Sequence, residues 1–242
     1  MMWLRVLILG VCVPVVAQAV ECAPLTSRFV VKAPQEATLS SQMVGRLERF
    51  YVRDGESFKR GERLAAFDCT ERQAQLGKAQ AVMMKAEKIE QSQKQLRNLK
   101  AISDLEHEGA LADLKVAQGD VAMAEAQVRQ CYVEAPYAGR VVRRVANQFE
   151  HLGLGVPLVQ VVESGALRLE LLLPSQWLRW LKPGTTFSIQ VDELGRSFAA
   201  EVTGLGARID AASQTVNVWA TITDPVPELL PGMSGTANFG VR

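Results

Sequence analysis

The chain has 242 residues, with 27 basic side chains against 26 acidic ones, 48% hydrophobic residues and only 6% aromatic residues. That length allows one large domain or two small ones, and the near-neutral charge offers no global pull toward nucleic acid, for which a strongly basic domain or face is expected. The two histidines, His107 and His151, stand far apart, with no cysteine or carboxylate cluster at ligand spacing, so neither histidine catalysis nor a structural zinc has support.

In chain order, residues 1–5 carry one positive charge, residues 6–16 are apolar, and Ala17-Gln18-Ala19 is a small-x-small site. This is the pattern of a secretory signal peptide, residues 1–19, removed on export. The apolar run is too short for a membrane anchor, and no later run reaches the ~18 residues of a span. Cys22, Cys69 and Cys131 remain after cleavage; an odd number leaves at least one unpaired or bound to another molecule.

Residues 70–130 contain no aromatic residue, 11 alanines, 9 basic and 9 acidic residues, a composition that favours helix. Ala79, Val82, Ala86, Ile89, Gln93 and Leu96 advance by alternating steps of three and four, as do Leu114, Ala117, Val121, Ala124, Val128 and Cys131. Two coiled-coil seams are therefore expected. Between them, Ser103-Asp104-Leu105-Glu106 has the form of a capping box that starts a second helix. Residues 69–131 are expected to form an antiparallel hairpin with its tip near 100–103, each arm extending roughly 40 Å at ~1.5 Å per residue. Alanine seams bury little surface, so such a hairpin needs support at its base or along its sides.

The flanking segments repeat each other at a constant offset of 94 residues: Gly45 matches Gly139, Leu47 matches Val141, Phe58 matches Leu152, Gly61 matches Gly155 and Leu64 matches Leu158. Glycines at turns with alternating apolar residues between them predict short strands. Two half-motifs of this kind, residues 24–68 and 132–163, predict two small sheets of a sandwich with the hairpin inserted between the halves.

The spacing Gly45-Arg-Leu, Val52, Gly55-Glu-Ser-Phe58, Gly61-Glu-Arg-Leu64, the helical insertion, and Ala135-Pro136-Tyr-Ala-Gly139-Arg-Val-Val resemble the split biotinyl/lipoyl-like domain (barrel-sandwich hybrid) of HlyD-like periplasmic adaptors, also called membrane fusion proteins. Phe149 departs from the pattern where a glycine matching Gly55 is expected, which predicts a second turn of different shape. Carrier domains of this fold place a modifiable lysine at the tip between the halves; here the hairpin occupies that place, and no cofactor is expected. Downstream, residues 167–173, 186–191, 198–205, 215–223 and 235–241 read as strands, with a short amphipathic turn at 177–181. Residues 207–215 and Leu230-Pro231-Gly232-Met233-Ser234 resemble the β-barrel domain of the same adaptors, giving a barrel over 164–242. The fold class expected is α+β, mostly β. The resemblance covers residues 24–242, and the short flanks suggest a compact adaptor lacking a membrane-proximal domain.

The resemblance implies a non-enzymatic adaptor of a tripartite efflux or secretion system, of the resistance-nodulation-division (RND) type. Its partners would be an inner-membrane transporter of the RND or another class, an outer-membrane channel and copies of itself in a hexamer. It would lie in the periplasm, peripheral to the inner membrane. A secreted scaffold, and a carrier domain of an enzyme complex, are the rival readings. In the family, channel docking is associated with Arg, three residues, Leu, six residues, Ser at the tip. Leu96 and Ser103 match the last two positions, Ser92 stands at the first, and Lys94 and Arg97 lie nearby. The docking candidates are Leu96, Arg97, Lys100 and Ser103, although a seam position also explains Leu96 and a capping role Ser103. Trp177 and Trp180 are read as closing the barrel end, with transporter contact as the functional alternative. Met83, Met84 and Met123 are read as packing residues rather than soft-metal ligands, and Arg140, Arg143 and Arg144 as a solvated strand face. With Cys69 ending the first half-motif and Cys131 ending the second helix, both fall at the hairpin base. Neighbouring helix ends satisfy the Cα spacing of a disulfide, so Cys69 and Cys131 are expected to pair and Cys22 to remain free.

Overall fold

The structure, a computed structural model, describes residues 25–224 and 226–240; the expected signal peptide and Cys22 lie outside them. The strands are β1 (Thr26–Lys32), β2 (Glu36–Ser40), β3 (Gly45–Phe50), β4 (Ser57–Phe58), β5 (Arg63–Phe67), β6 (Tyr132–Glu134) and β7 (Gly139–Arg144), followed by β8 (His151–Leu152), β9 (Pro157–Glu163), β10 (Arg168–Pro174), β11 (Thr186–Val191), β12 (Arg196–Asp210), β13 (Thr215–Ile222) and β14 (Ser234–Asn238). Helices α1 (Thr70–Asn98) and α2 (Asp104–Arg129) separate β5 from β6. The chain divides into two units, residues 32–168 and residues 25–31 with 169–240.

In the second of these, period-two alternation does most of the work. Leu169, Leu171 and Leu173 of β10, Phe187, Ile189 and Val191 of β11, and Val216, Val218 and Ala220 of β13 are buried, while their polar neighbours face outward. Six strands close a barrel in the order β1-β10-β13-β12-β11-β14, and closure leaves no strand edge unpaired. β1 corrects the sequence reading, which put residues 24–68 in the sandwich. Phe29 and Val31 are buried in the barrel, and β1 pairs antiparallel with β14 from Thr26↔Asn238 to Val30↔Ser234. Alternation shows that a strand has one buried face, not which sheet owns it.

The sandwich has an internal two-fold relation. Its sheets run β2-β9-β7-β4 and β6-β5-β3-β8, so exchanging each strand for its repeat partner turns one sheet into the other. The halves are interlocked rather than juxtaposed. Gly55 N–H donates to Val141 O at 2.8 Å and Phe149 N–H donates to Leu47 O at 2.7 Å; Gly61 N–H donates to Ala135 O at 2.8 Å and Gly155 N–H to Ser41 O at 2.8 Å. Each bond is the other's image at the repeat offset. The core draws evenly on both halves, with Leu47, Phe58, Leu64 and Phe67 packed with Val141, Leu152, Leu158 and Val161.

Phe149 keeps the turn it was expected to alter. Its φ is 70°, beside 80° for Gly55, and the turn carboxylates act alike: Glu56 accepts from Arg53 N–H at 2.8 Å and Glu150 from Asn147 N–H at 2.9 Å. The flanking hydrogen bonds hold the left-handed backbone, at a cost of about 1 kcal/mol for a side chain with a Cβ. Because Phe149 is 67% exposed, little packing offsets that cost. Phe149→Asn, which tolerates this region, is expected to raise the unfolding free energy by about 0.5 kcal/mol; a lower urea midpoint for the variant would contradict it.

Candidate docking site at the helical tip

The two helices lie side by side in opposite directions. At the base, Arg72 Nη1 donates to Gln127 O at 3.0 Å and Gln130 Oε1 at 2.9 Å, and Cys69 and Cys131 form a disulfide with Cα atoms 5.7 Å apart. Near the far end, Arg97 Nε meets Asp104 Oδ1 at 2.8 Å. On α2 the inward stripe runs His107, Ala110, Leu114, Ala117, Val121, Ala124, Val128, and on to Cys131.

On α1 the seam differs from expectation. The least exposed positions are Arg72, Leu76, Ala79, Met83, Ala86, Glu90 and Gln93, a run of alternating fours and threes set by the Arg72 anchor. Val82, Ile89 and Leu96 fall one position off this stripe and remain 48%, 43% and 38% exposed. Two compensations permit this. Met83 is unbranched and fills irregular space, and Glu90 is satisfied inside, its Oε1 3.2 Å from Nε2 of the buried His107. Arg97 Nη1 lies 3.4 Å from the other ring nitrogen, Nδ1. Met84 and Met123, read as packing residues, are exposed instead; Met83 alone of the three is half-buried. Val82 and Ile89 line a groove of about 210 Å³ along one flank, with Ala86, Ala110, Val116 and Ala117 and the charged Lys85, Asp113 and Asp120.

At the tip, α1 ends in a Schellman motif: Ala101 N–H donates to Leu96 O and Lys100 N–H to Arg97 O, both at 2.8 Å. Lys100, with φ 56°, takes the left-handed position usually given to glycine. α2 begins with a complete capping box. Ser103 Oγ accepts from Glu106 N–H at 3.3 Å, and Glu106 Oε2 accepts from Ser103 N–H at 2.8 Å and from its hydroxyl at 2.9 Å. Of the expected docking residues, Leu96 therefore sits on the flank, Arg97 is tied to Asp104, Ser103 is engaged in the cap, and Lys100 is exposed at the turn. Sequence reasoning missed Leu99 and Leu105, which lie on either side of the turn and are 76% and 78% exposed; the signal available was that neither belongs to a seam.

Both helix starts carry an acid-sensitive carboxylate, Glu106 in the α2 capping box and Asp68 just before the α1 N-cap. The backbone N–H and then the hydroxyl of Ser103 hold the Glu106 carboxyl below its usual range, against a small desolvation effect. The hydroxyl and then the backbone N–H of Thr70 do the same for Asp68, helped by Arg46. A carboxylate whose folded pKa is depressed stabilises the fold above its unfolded pKa and loses that contribution as pH falls through the folded value. Hydrogen-exchange protection of the first turns of α1 and α2 is expected to fall together below about pH 4, and Ser103→Ala to remove the α2 effect alone. Unchanged protection in α2 down to acid pH would contradict this.

In the barrel unit, the 3-10 turn Ser175–Arg179 carries Trp177, and Trp180 follows it. Their rings are 5.7 Å apart and lie 5.4 and 6.0 Å from Phe239, which stacks on Phe187 at 4.3 Å. Both tryptophans are half-buried in this cluster. Among the described residues, no group of three or more His, Cys, Asp or Glu is placed to hold a metal ion, and no helix is long and apolar enough to cross a membrane.

A six-stranded barrel, and a sandwich of two interlocked repeats with a long helical pair inserted between the repeats, are parts also found in solved periplasmic adaptors. The family model for the CusB-like β-barrel domain matches residues 169–241. A Haemophilus influenzae protein is 27% identical over 207 residues, covering 84% of this chain and 54% of its own. The probable efflux pump periplasmic linker protein SepA of Pseudomonas putida is 27% identical over 141 residues, covering 52% of this chain and 37% of its own. Among solved structures, a MacA-MexA chimeric protein containing the Pseudomonas aeruginosa MexA α-hairpin domain has a TM-score of 0.79 at 17% identity, covering 90% of this chain and 80% of its own. The chain therefore resembles RND-type periplasmic adaptors, over the barrel by the family model and more widely by fold. The chain spans about half the length of the first two curated relatives it matches, 54% and 58%.

Proposed function

We propose that the chain is a non-enzymatic adaptor of a tripartite efflux or secretion assembly in the periplasm, bridging an inner-membrane transporter to an outer-membrane channel. In this reading the sandwich is lipoyl-like, the helical insertion is the hairpin that reaches the channel, and residues 1–19 are the export signal. The observation that carries it is the hairpin. Two helices fastened at the base by Cys69–Cys131 run side by side to a turn held by a Schellman motif, a capping box and the Arg97–Asp104 ion pair. A tip fixed so closely, roughly 40 Å along the helices from its base at ~1.5 Å per residue, suits a rigid contact more than a flexible linker.

Side-by-side assembly of copies, a hexamer by family resemblance, draws support from the flank. Val82, Ile89 and Leu96 recur every seven residues outside the internal seam, as do Val116 and Met123, which is the spacing a further helix packs against. Trp177 and Trp180 remain the candidate transporter contact on the barrel unit.

Photo-crosslinking residues placed at Lys100 and Ser103 of the full chain test the reading. An outer-membrane channel is expected as the adduct in intact cells; its absence at both positions would overturn the bridging role.

A further inference from the structure

We propose that the tip holds the channel through Leu99 and Leu105, with Lys100 as the orienting charge, so that the complementary surface is an apolar cleft rimmed by carboxylates. This rests on the adaptor reading above and assigns the contact to different residues from Leu96 and Ser103.

Leu99 and Leu105 are the two most exposed large apolar side chains among the described residues. They flank the turn, one capping α1 and the other in the first turn of α2, and neither lies on the inward stripe. Leucines held in water on a fixed turn gain free energy only when a partner covers them. The tip charges are mostly spent internally. Arg97 faces Asp104, and the Glu106 carboxylate accepts from both Ser103 groups. Among the described residues no carboxylate lies within 4 Å of Lys100, so the turn presents two leucines and one unneutralised cation. That cation also sits on a strained backbone where glycine would cost nothing. By contrast, Leu96 faces the flank, and the Ser103 hydroxyl already donates to Glu106 and accepts from its N–H.

The test places photo-crosslinkers singly at Leu96, Leu99, Ser103 and Leu105 of the full chain in intact cells. Channel adducts at Leu99 and Leu105 exceeding those at Leu96 and Ser103 are expected. Channel adducts at Leu96 or Ser103 with none at Leu99 or Leu105 would overturn this assignment and leave the bridging role standing. No channel adduct at any position would overturn both. Adducts at Leu99 and Leu105 only with a second copy of the chain, or with lipid, would also overturn it. With the channel identified by mass spectrometry of these adducts, Leu99→Ala and Leu105→Ala are each expected to weaken binding about tenfold with helicity unchanged. Lys100→Gly is expected to raise the melting temperature while reducing the affinity and its dependence on salt. Wild-type affinity in all three variants would refute the proposal.

Discussion

The double replacement Cys69→Ala/Cys131→Ala is expected to lower the unfolding free energy of the unit formed by residues 32–168 by about 4 kcal/mol. The disulfide joins cysteines 62 positions apart, and constraining a loop of that size in the unfolded chain accounts for the magnitude on the chain-entropy model. The loss is expected to matter for the hairpin because little else holds the helices. No α1 residue is fully buried, and the buried α2 residues are His107, three alanines and Val121. A seam this thin returns little hydrophobic free energy for the ordering of its residues. Thermal unfolding followed by circular dichroism should show the midpoint falling by about 10 °C, with helical signal lost ahead of sheet signal. Reductant should shift the wild type toward the variant and leave the variant unmoved. Equal midpoints for wild type and variant would remove the disulfide from the account of hairpin stability.

The second expectation sets repeat-related glycines against each other. At Gly139 an added Cβ would lie 2.1 Å from Val162 O and 3.0 Å from the Phe58 ring, whereas at Gly45 it would meet only the terminal methyl of Met43 at 2.8 Å and the Phe67 ring at 3.8 Å. A backbone carbonyl in the β7–β9 ladder cannot withdraw without losing pairing, but a methionine methyl can rotate away. Gly139→Ala is therefore expected to cost about 3 kcal/mol and Gly45→Ala less than about 1 kcal/mol, read from urea midpoints at equal m-values. Equal losses at the two positions would show that the repeat's symmetry, rather than the local contact, sets the cost.

These contrasts indicate what a sequence can carry. The repeat was legible because its turns require glycine and its strands alternate, both local demands. The exchange of strands between halves was not, since pairing across the helical insertion leaves no mark on either segment alone. β1 looked like the start of the sandwich because it precedes β2 directly, yet its alternation serves either sheet. The α1 seam was misread by one position because apolarity was allowed to choose Val82, Ile89 and Leu96. The folded chain instead anchors Arg72 at the base and satisfies Glu90 through His107. At the tip, the capping box was readable from Ser103 and Glu106, whereas the exposure of Leu99 and Leu105 depends on how the turn closes.

The reciprocal bonds of the sandwich bear on what happens if the chain is cut. Gly55 and Phe149, Gly61 and Gly155 each reach into the opposite half, so each half serves as the template on which the other is completed. A protease nicking the turn between α1 and α2 would release neither fragment, because these reciprocal bonds, the strand pairing between the halves and one covalent bridge would still join them. The sandwich thus depends on where the inserted helices leave and re-enter it and not on their continuity, which leaves the insertion free to change length and surface while its mounting stays fixed.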